Sequence, residues 1–205
     1  KQLLQQSPWT YLFQWGRTGD IGANVGGDAS ATTQSQEEFD YERESVTMVK
    51  ISLFSSRPVR QAYVALMAKG DPVKLEKLQD FATRDINDEI ILAWTLDSKP
   101  KRSDGLVDLD RQLRALSVGE LANNTFIATD TGKKVYIKDY IQPSPDGTGA
   151  KFVFPRLLED GTPLIGPGVK TLRFQTKKFQ IKDEEVAIDG TFKIEKMMFD
   201  GKLEY

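Results

Sequence analysis

The sequence predicts an α+β domain dominated by strand: a mainly antiparallel sheet or two-layer β-structure with two or three short helices. Three observations carry that prediction. Apolar residues alternate with polar ones in segments 9–15, 46–54 and 89–97, the period of a half-buried strand. They recur at helical spacing after Pro58, after Pro72 and again from Leu106. In the last third, short β-rich runs are separated by Asp-Gly or similar pairs, which is hairpin chemistry.

Taken in order, residues 1–6 read as a short helical turn stopped by Ser7-Pro8, because a residue before proline is pushed out of helical geometry. In Trp9-Thr10-Tyr11-Leu12-Phe13-Gln14-Trp15 the four aromatics occupy every second position and so share one face of a strand. From about 16 to 36 the chain is rich in Gly, Ser and Thr, offers little apolar surface to offset ordering entropy, and reads as a mobile loop. Val46 to Phe54 is rich in β-branched residues and reads as a strand with Val49, Ile51 and Leu53 towards the core.

A helix follows, with Ser55 or Ser56 expected to accept from first-turn amides, Pro58 early, Val59, Tyr63, Leu66 and Met67 inward, and Gly70 beyond its end. Asp71-Pro72 opens a second helix with Leu75, Leu78 and Phe81 inward. Glu89 to Asp97 returns to strand with Ile90, Leu92, Trp94 and Leu96 on one face, and after a charged loop over 99–105, Leu106, Leu109, Leu113 and Leu116 mark a third helix ending near Gly119. Turns are expected at Asp130-Thr131-Gly132, Asp146-Gly147, Asp160-Gly161, Asp189-Gly190 and Asp200-Gly201.

Composition narrows the chemistry. At 205 residues, with 39% hydrophobic content, the chain can bury a real core and is read as a single domain spanning 1–205. It contains no His and no Cys, so no site can rest on an imidazole or a thiol. With 28 basic against 30 acidic residues interspersed, no basic surface is expected to neutralise phosphates, and nucleic acid is not an expected partner. No apolar run approaches the roughly 20 residues of a transmembrane helix. The chain opens at Lys1 rather than Met, which favours a removed secretion signal and a periplasmic or extracellular location.

Three passages occur together: Ser7-Pro8-Trp9, Arg57-Pro58-Val59-Arg60-Gln61-Ala62, and the ending Lys196 to Tyr205 with its Gly201-Lys202-Leu203-Glu204 core. In that order, with Phe152-Val153-Phe154-Pro155-Arg156 between, they resemble an uncharacterised exported bacterial family. The resemblance implies export and carries over no activity, ligand or site residue.

Candidate sites are few. The stripe Trp9, Tyr11, Phe13, Trp15 offers flat rings on which a sugar could stack, against the simpler reading of core packing; Trp15, beside the loop, is its most exposed candidate. Arg57 and Arg60 place positive charge at a helix start, where it opposes the macrodipole unless an acid from a neighbouring strand answers it or an anion binds. The glycines of 16–27 lack the Lys-Ser/Thr ending of a phosphate loop. Asp104, Asp108 and Asp110 lack the remaining ligands of a Ca²⁺ loop, and helix-start acids explain Asp108 and Asp110 more simply. Asn123-Asn124-Thr125 matches a glycosylation acceptor, which matters only in a host that modifies it.

Carboxylate pairs remain for acid–base work: Glu37-Glu38, Asp88-Glu89 and Asp183-Glu184-Glu185 all sit at segment boundaries. No catalytic residue, metal or cofactor is assigned. The expectation is a non-catalytic binding or scaffolding module of the cell envelope, holding a protein or an envelope polysaccharide through Trp9, Tyr11, Trp15, Arg57 and Arg60. The alternative is a carboxylate-dependent hydrolase acting on polysaccharide.

Overall fold

A computed structural model of the chain describes residues 7–15, 46–99, 104–145 and 147–205. The helical turn expected over 1–6, the loop expected at about 16–36, the Glu37-Glu38 pair, the middle of the charged loop and Asp146 lie outside the described residues, as does the side chain of Trp15.

The predicted class holds. A five-stranded sheet has the order β1 (Thr10–Trp15), β2 (Val46–Leu53), β3 (Glu89–Lys99), β7 (Gly149–Pro155), β6 (Asp139–Ser144). A four-stranded sheet has the order β5 (Lys134–Tyr136), β4 (Phe126–Thr129), β8 (Thr171–Ile181), β9 (Glu184–Lys193). Every neighbouring pair in both is antiparallel. A small hairpin, β10 (Met198–Phe199) with β11 (Lys202–Leu203), follows.

The alternation read from the sequence decides which side of each strand is buried. Val49, Ile51 and Leu53 face inward together with Ile90, Leu92 and Trp94. The two sheets meet through aromatic rings: the Trp94 ring centroid lies 4.6 Å from Phe152, 5.5 Å from Phe174 and 5.8 Å from Phe179. Each such side chain contributes about 1.5–3 kcal/mol on leaving water, so this aromatic centre stabilises the contact between the layers. Gly149 opens β7 with φ +76°, where an added Cβ would sit 1.8 Å from the Trp94 carbonyl oxygen. Only glycine lets β7 close onto β3 there.

The gaps at the two sides of the sandwich are filled differently. On one side β1 lies against β9, with the Tyr11 ring over Gly190. On the other, α3 (Asp104–Ala115) bridges the sheets with Leu109 and Leu113 fully buried. Its Asp108 carboxylate accepts from the Lys182 amide at 3.1 Å and its Gln112 side-chain oxygen from the Gln180 amide at 3.0 Å. Tyr140 of β6 donates its hydroxyl to the Leu113 carbonyl at 2.6 Å. The third helix ends at Ala115 rather than near Gly119, because Ser117 and Glu120 form a capping box that starts a new turn, α4 (Val118–Leu121).

Two further helices, α1 (Arg57–Ala68) and α2 (Pro72–Thr83), form a hairpin between β2 and β3. The hairpin is anchored at its base, where Phe54 meets Tyr63 at 5.3 Å and Phe81 at 5.8 Å between ring centroids. Asp71 caps α2 as its position suggests, accepting from the amides of Val73 and Lys74. Leu66, Met67 and Leu75, expected inward, are exposed instead. Helical spacing identified one stripe correctly, but the sandwich reaches only the base of the hairpin and leaves its tip uncovered.

The Asp-Gly signals divide. Asp130-Thr131-Gly132 turns β4 into β5, and Asp200-Gly201 turns β10 into β11 with both residues at positive φ. Asp160-Gly161 turns within the β7–β8 connection, where the Asp160 carboxylate accepts from the Thr162 amide at 2.9 Å. Asp189-Gly190 is not a turn: it lies inside β9, opposite Gln175 and Phe174. The β8–β9 turn falls at Lys182-Asp183, with Lys182 at φ 53°. Gly190 is used for space rather than for chain reversal, since a Cβ there would meet Tyr11 Cδ1 at 2.7 Å.

Candidate functional site

Four of the five residues singled out as binding candidates have described side chains, and each has partners within the chain. Trp9 is 5% exposed, donates its indole N–H to the Glu204 carbonyl at 2.7 Å and meets Phe199 edge-on at 6.5 Å. Tyr11 is half-buried against Gly190, and burial, helped by the charge of Asp189, raises its phenol above the ordinary range. Trp15 pairs in register with Thr47 at the end of β1.

Arg57 is met by Glu204, an acid from the far end of the chain. Its Nε–H donates to the Glu204 carboxylate at 2.7 Å, its Nη2 donates to the same oxygen, and its backbone amide reaches the second oxygen at 3.4 Å. The hydrogen bond and charge of Glu204 raise the Arg57 guanidinium further above its already high range. The expected hydroxyl cap is absent, because Ser56 donates instead to the Leu53 carbonyl at 2.7 Å and Ser55 accepts from the Ile91 amide at 3.3 Å. Glu204 therefore supplies the negative charge at the start of α1 that no residue of its first turn provides.

Arg60 is fully buried and acts as a bracket. It donates to the carbonyls of Ser55, Phe81 and Arg84, joining both ends of the helical hairpin; burial, then the neighbouring charge of Arg84, lowers its affinity for the proton. Arg156 completes the cluster: it donates to the Tyr205 carbonyl and lies 4.2 Å over the Tyr205 ring. The structure thus gathers Trp9, Arg57 and Arg156 around residues 204–205 and keeps Tyr11 apart, at the β1–β9 seam.

Four of the acidic candidates stand in separate ion pairs. Asp108 accepts from Arg111 and Asp110 from Arg114, both along α3. Glu89 pairs with Lys138 at 2.8 Å and Glu185 with Lys178 at 3.3 Å. Among the described residues no group of three His, Cys, Asp or Glu could hold a metal ion, and no helix is long and apolar enough to cross a membrane.

The surface that the sequence reading missed is the outer face of the four-stranded sheet. Strand register sets two rows across it. One row is Tyr136, Phe126, Gln175 and Asp189; the next is Lys134, Ala128, Arg173 and Thr191. Every residue in both rows is exposed or half-buried. Tyr136 and Phe126 stand 5.8 Å apart between centroids, and Lys134 Nζ lies 4.8 Å from the centre of each ring. Arg173 and Asp189 form a 2.9 Å ion pair beside them. The signal was present: Phe126 and Tyr136 flank the buried Ile127 and Val135 at alternate positions, and so had to point outward.

No family model, no curated protein and no solved structure matches the chain. The chain is a two-layer antiparallel sandwich with an α-helical hairpin inserted between β2 and β3 of one sheet and an exposed aromatic corner on the other.

Proposed function

We propose that this chain acts by binding rather than by catalysis, as an exported module of the cell envelope that holds a polysaccharide on the outer face of its four-stranded sheet. One observation carries the reading. Tyr136 is 44% exposed and stands with Phe126 at one end of a face whose other groups are the Gln175 amide, the Thr191 hydroxyl, the Ala128 methyl, the Lys134 ammonium and the Arg173–Asp189 ion pair. Apolar ring faces beside fixed donors and acceptors suit a sugar, which presents apolar C–H faces and a rim of hydroxyl groups. Adjacent strands lie about 4.8 Å apart, so a row of four residues spans several sugar units.

Export rests on the resemblance carried by the Ser-Pro-Trp, Pro-Val-Arg and Gly-Lys-Leu-Glu passages. The aromatics of β1, first considered for sugar stacking, support the fold in this reading, and the binding role passes to Phe126 and Tyr136. Co-sedimentation with insoluble envelope polysaccharide tests the proposal. Tyr136→Ala is expected to abolish sedimentation with an unchanged melting temperature; retention of full binding by that variant overturns it. Release of reducing sugar by the purified chain would favour carboxylate-dependent hydrolysis instead.

A further inference from the structure

The open face has an electrostatic character that narrows its ligand. The chain as a whole carries a net charge of -2, yet the aromatic corner of this face is cationic. Lys134 is exposed and lies over both rings at 4.8 Å, and its row neighbour across Ala128 is Arg173. The acid in the adjacent row, Asp189, is engaged by Arg173 at 2.9 Å, and further along the sheet Glu185 is engaged by Lys178. No carboxylate stands opposite Lys134 in the register, since Ala128 occupies that position.

We infer that the face selects an anionic polysaccharide, one whose sugar units carry carboxylates, with the exposed Tyr136 ring, braced edge-on by Phe126, taking a sugar ring and Lys134 pairing with the carboxylate of that unit. The inference rests on the binding reading above and adds the class of ligand. The geometry favours it for a physical reason. A uronate unit carries its charge on the rim of the ring, so a ring on Tyr136 brings the carboxylate beside a cation held against the same aromatic pair. A charge-assisted hydrogen bond to Lys134 then forms without a new side chain being ordered. Gln175 and Thr191 lie further along the two rows, where hydroxyls of the following units pass.

Affinity electrophoresis of the full chain in gels containing polygalacturonate, its methyl ester or dextran tests this. Polygalacturonate is expected to retard the chain, the ester and dextran are not, and rising salt is expected to weaken the retardation. Lys134→Gln should reduce affinity for polygalacturonate by roughly tenfold, the worth of one charge-assisted contact, while leaving the melting temperature unchanged. Equal binding of ester and acid, insensitive to Lys134→Gln but lost in Tyr136→Ala, overturns the charge selectivity and leaves the binding module standing. Absence of binding to all three polymers, or binding indifferent to both substitutions, overturns the inference and the assignment of this face together.

Discussion

Arg57 and Glu204 stand 147 positions apart in the chain and share one ion pair that closes the start of α1. The pair does two things at once: it satisfies a guanidinium that would otherwise oppose the helix dipole, and it pins the end of the described chain beside Trp9.

Removing either partner should therefore be felt at both. Glu204→Ala is expected to lower the melting temperature by about 2–4 °C, the scale of a lost cap in a chain of this length. The double variant Arg57→Ala/Glu204→Ala should lose less than the sum of the single losses, because the pair is one interaction. Thermal unfolding of the four proteins measures the coupling; strict additivity would contradict it.

Arg60 is expected to be the most sensitive arginine. Its three carbonyl partners lie on the β2–α1 connection and at the end of α2, and all three lose their donor when it is replaced. Arg60→Met should cost at least about 2 kcal/mol in urea unfolding, since bonds to a charged donor contribute about 1.5–3 kcal/mol each. Arg60→Lys should recover only part of this, because an ammonium group cannot match the spread of a planar guanidinium.

Gly190→Ala should separate β1 from β9. The new Cβ would meet the Tyr11 ring at 2.7 to 3.0 Å, closer than real contacts allow. Overpacking of this kind costs about 1–3 kcal/mol. Adding Tyr11→Leu to Gly190→Ala should restore part of the loss, although Tyr11→Leu alone destabilises. Chemical denaturation of the two single variants and the double shows whether the rescue occurs.

Alkaline pH should destabilise the chain through its half-buried phenols. Burial raises the titration of both Tyr140 and Tyr11 above the value of about 10 that they have in the unfolded chain. The unfolded state thus releases these protons first, so the stability they contribute is complete below about pH 10 and is lost as pH rises towards their folded values. Tyrosinate absorbance should therefore appear in stages, with Tyr140 and Tyr11 ionising after the exposed tyrosines. Tyr140→Phe should flatten this dependence while leaving the Leu113 carbonyl without its donor.

Much of the fold was legible in the chain because strand and helix periods are local properties. Alternation placed Val49, Ile51, Leu53, Ile90, Leu92, Trp94 and Leu96 on inward faces; the structure buries the first six and leaves Leu96 half-buried against the core. Asp71 and Asp200-Gly201 were readable for the same reason, since a cap or a two-residue turn is decided by its own atoms. Leu66, Met67 and Leu75 were misread because periodicity states which residues share a face and not whether anything covers that face.

The sequence by itself determined the fold class, the inward side of the central strands and the absence of imidazole and thiol chemistry. Only the tertiary structure decided that Glu204 answers Arg57, that Tyr11 needs Gly190, and that Phe126, Tyr136 and Lys134 form one exposed corner. Those relationships join residues on different strands and at opposite ends of the chain, so no local pattern could specify them; packing of the two sheets did.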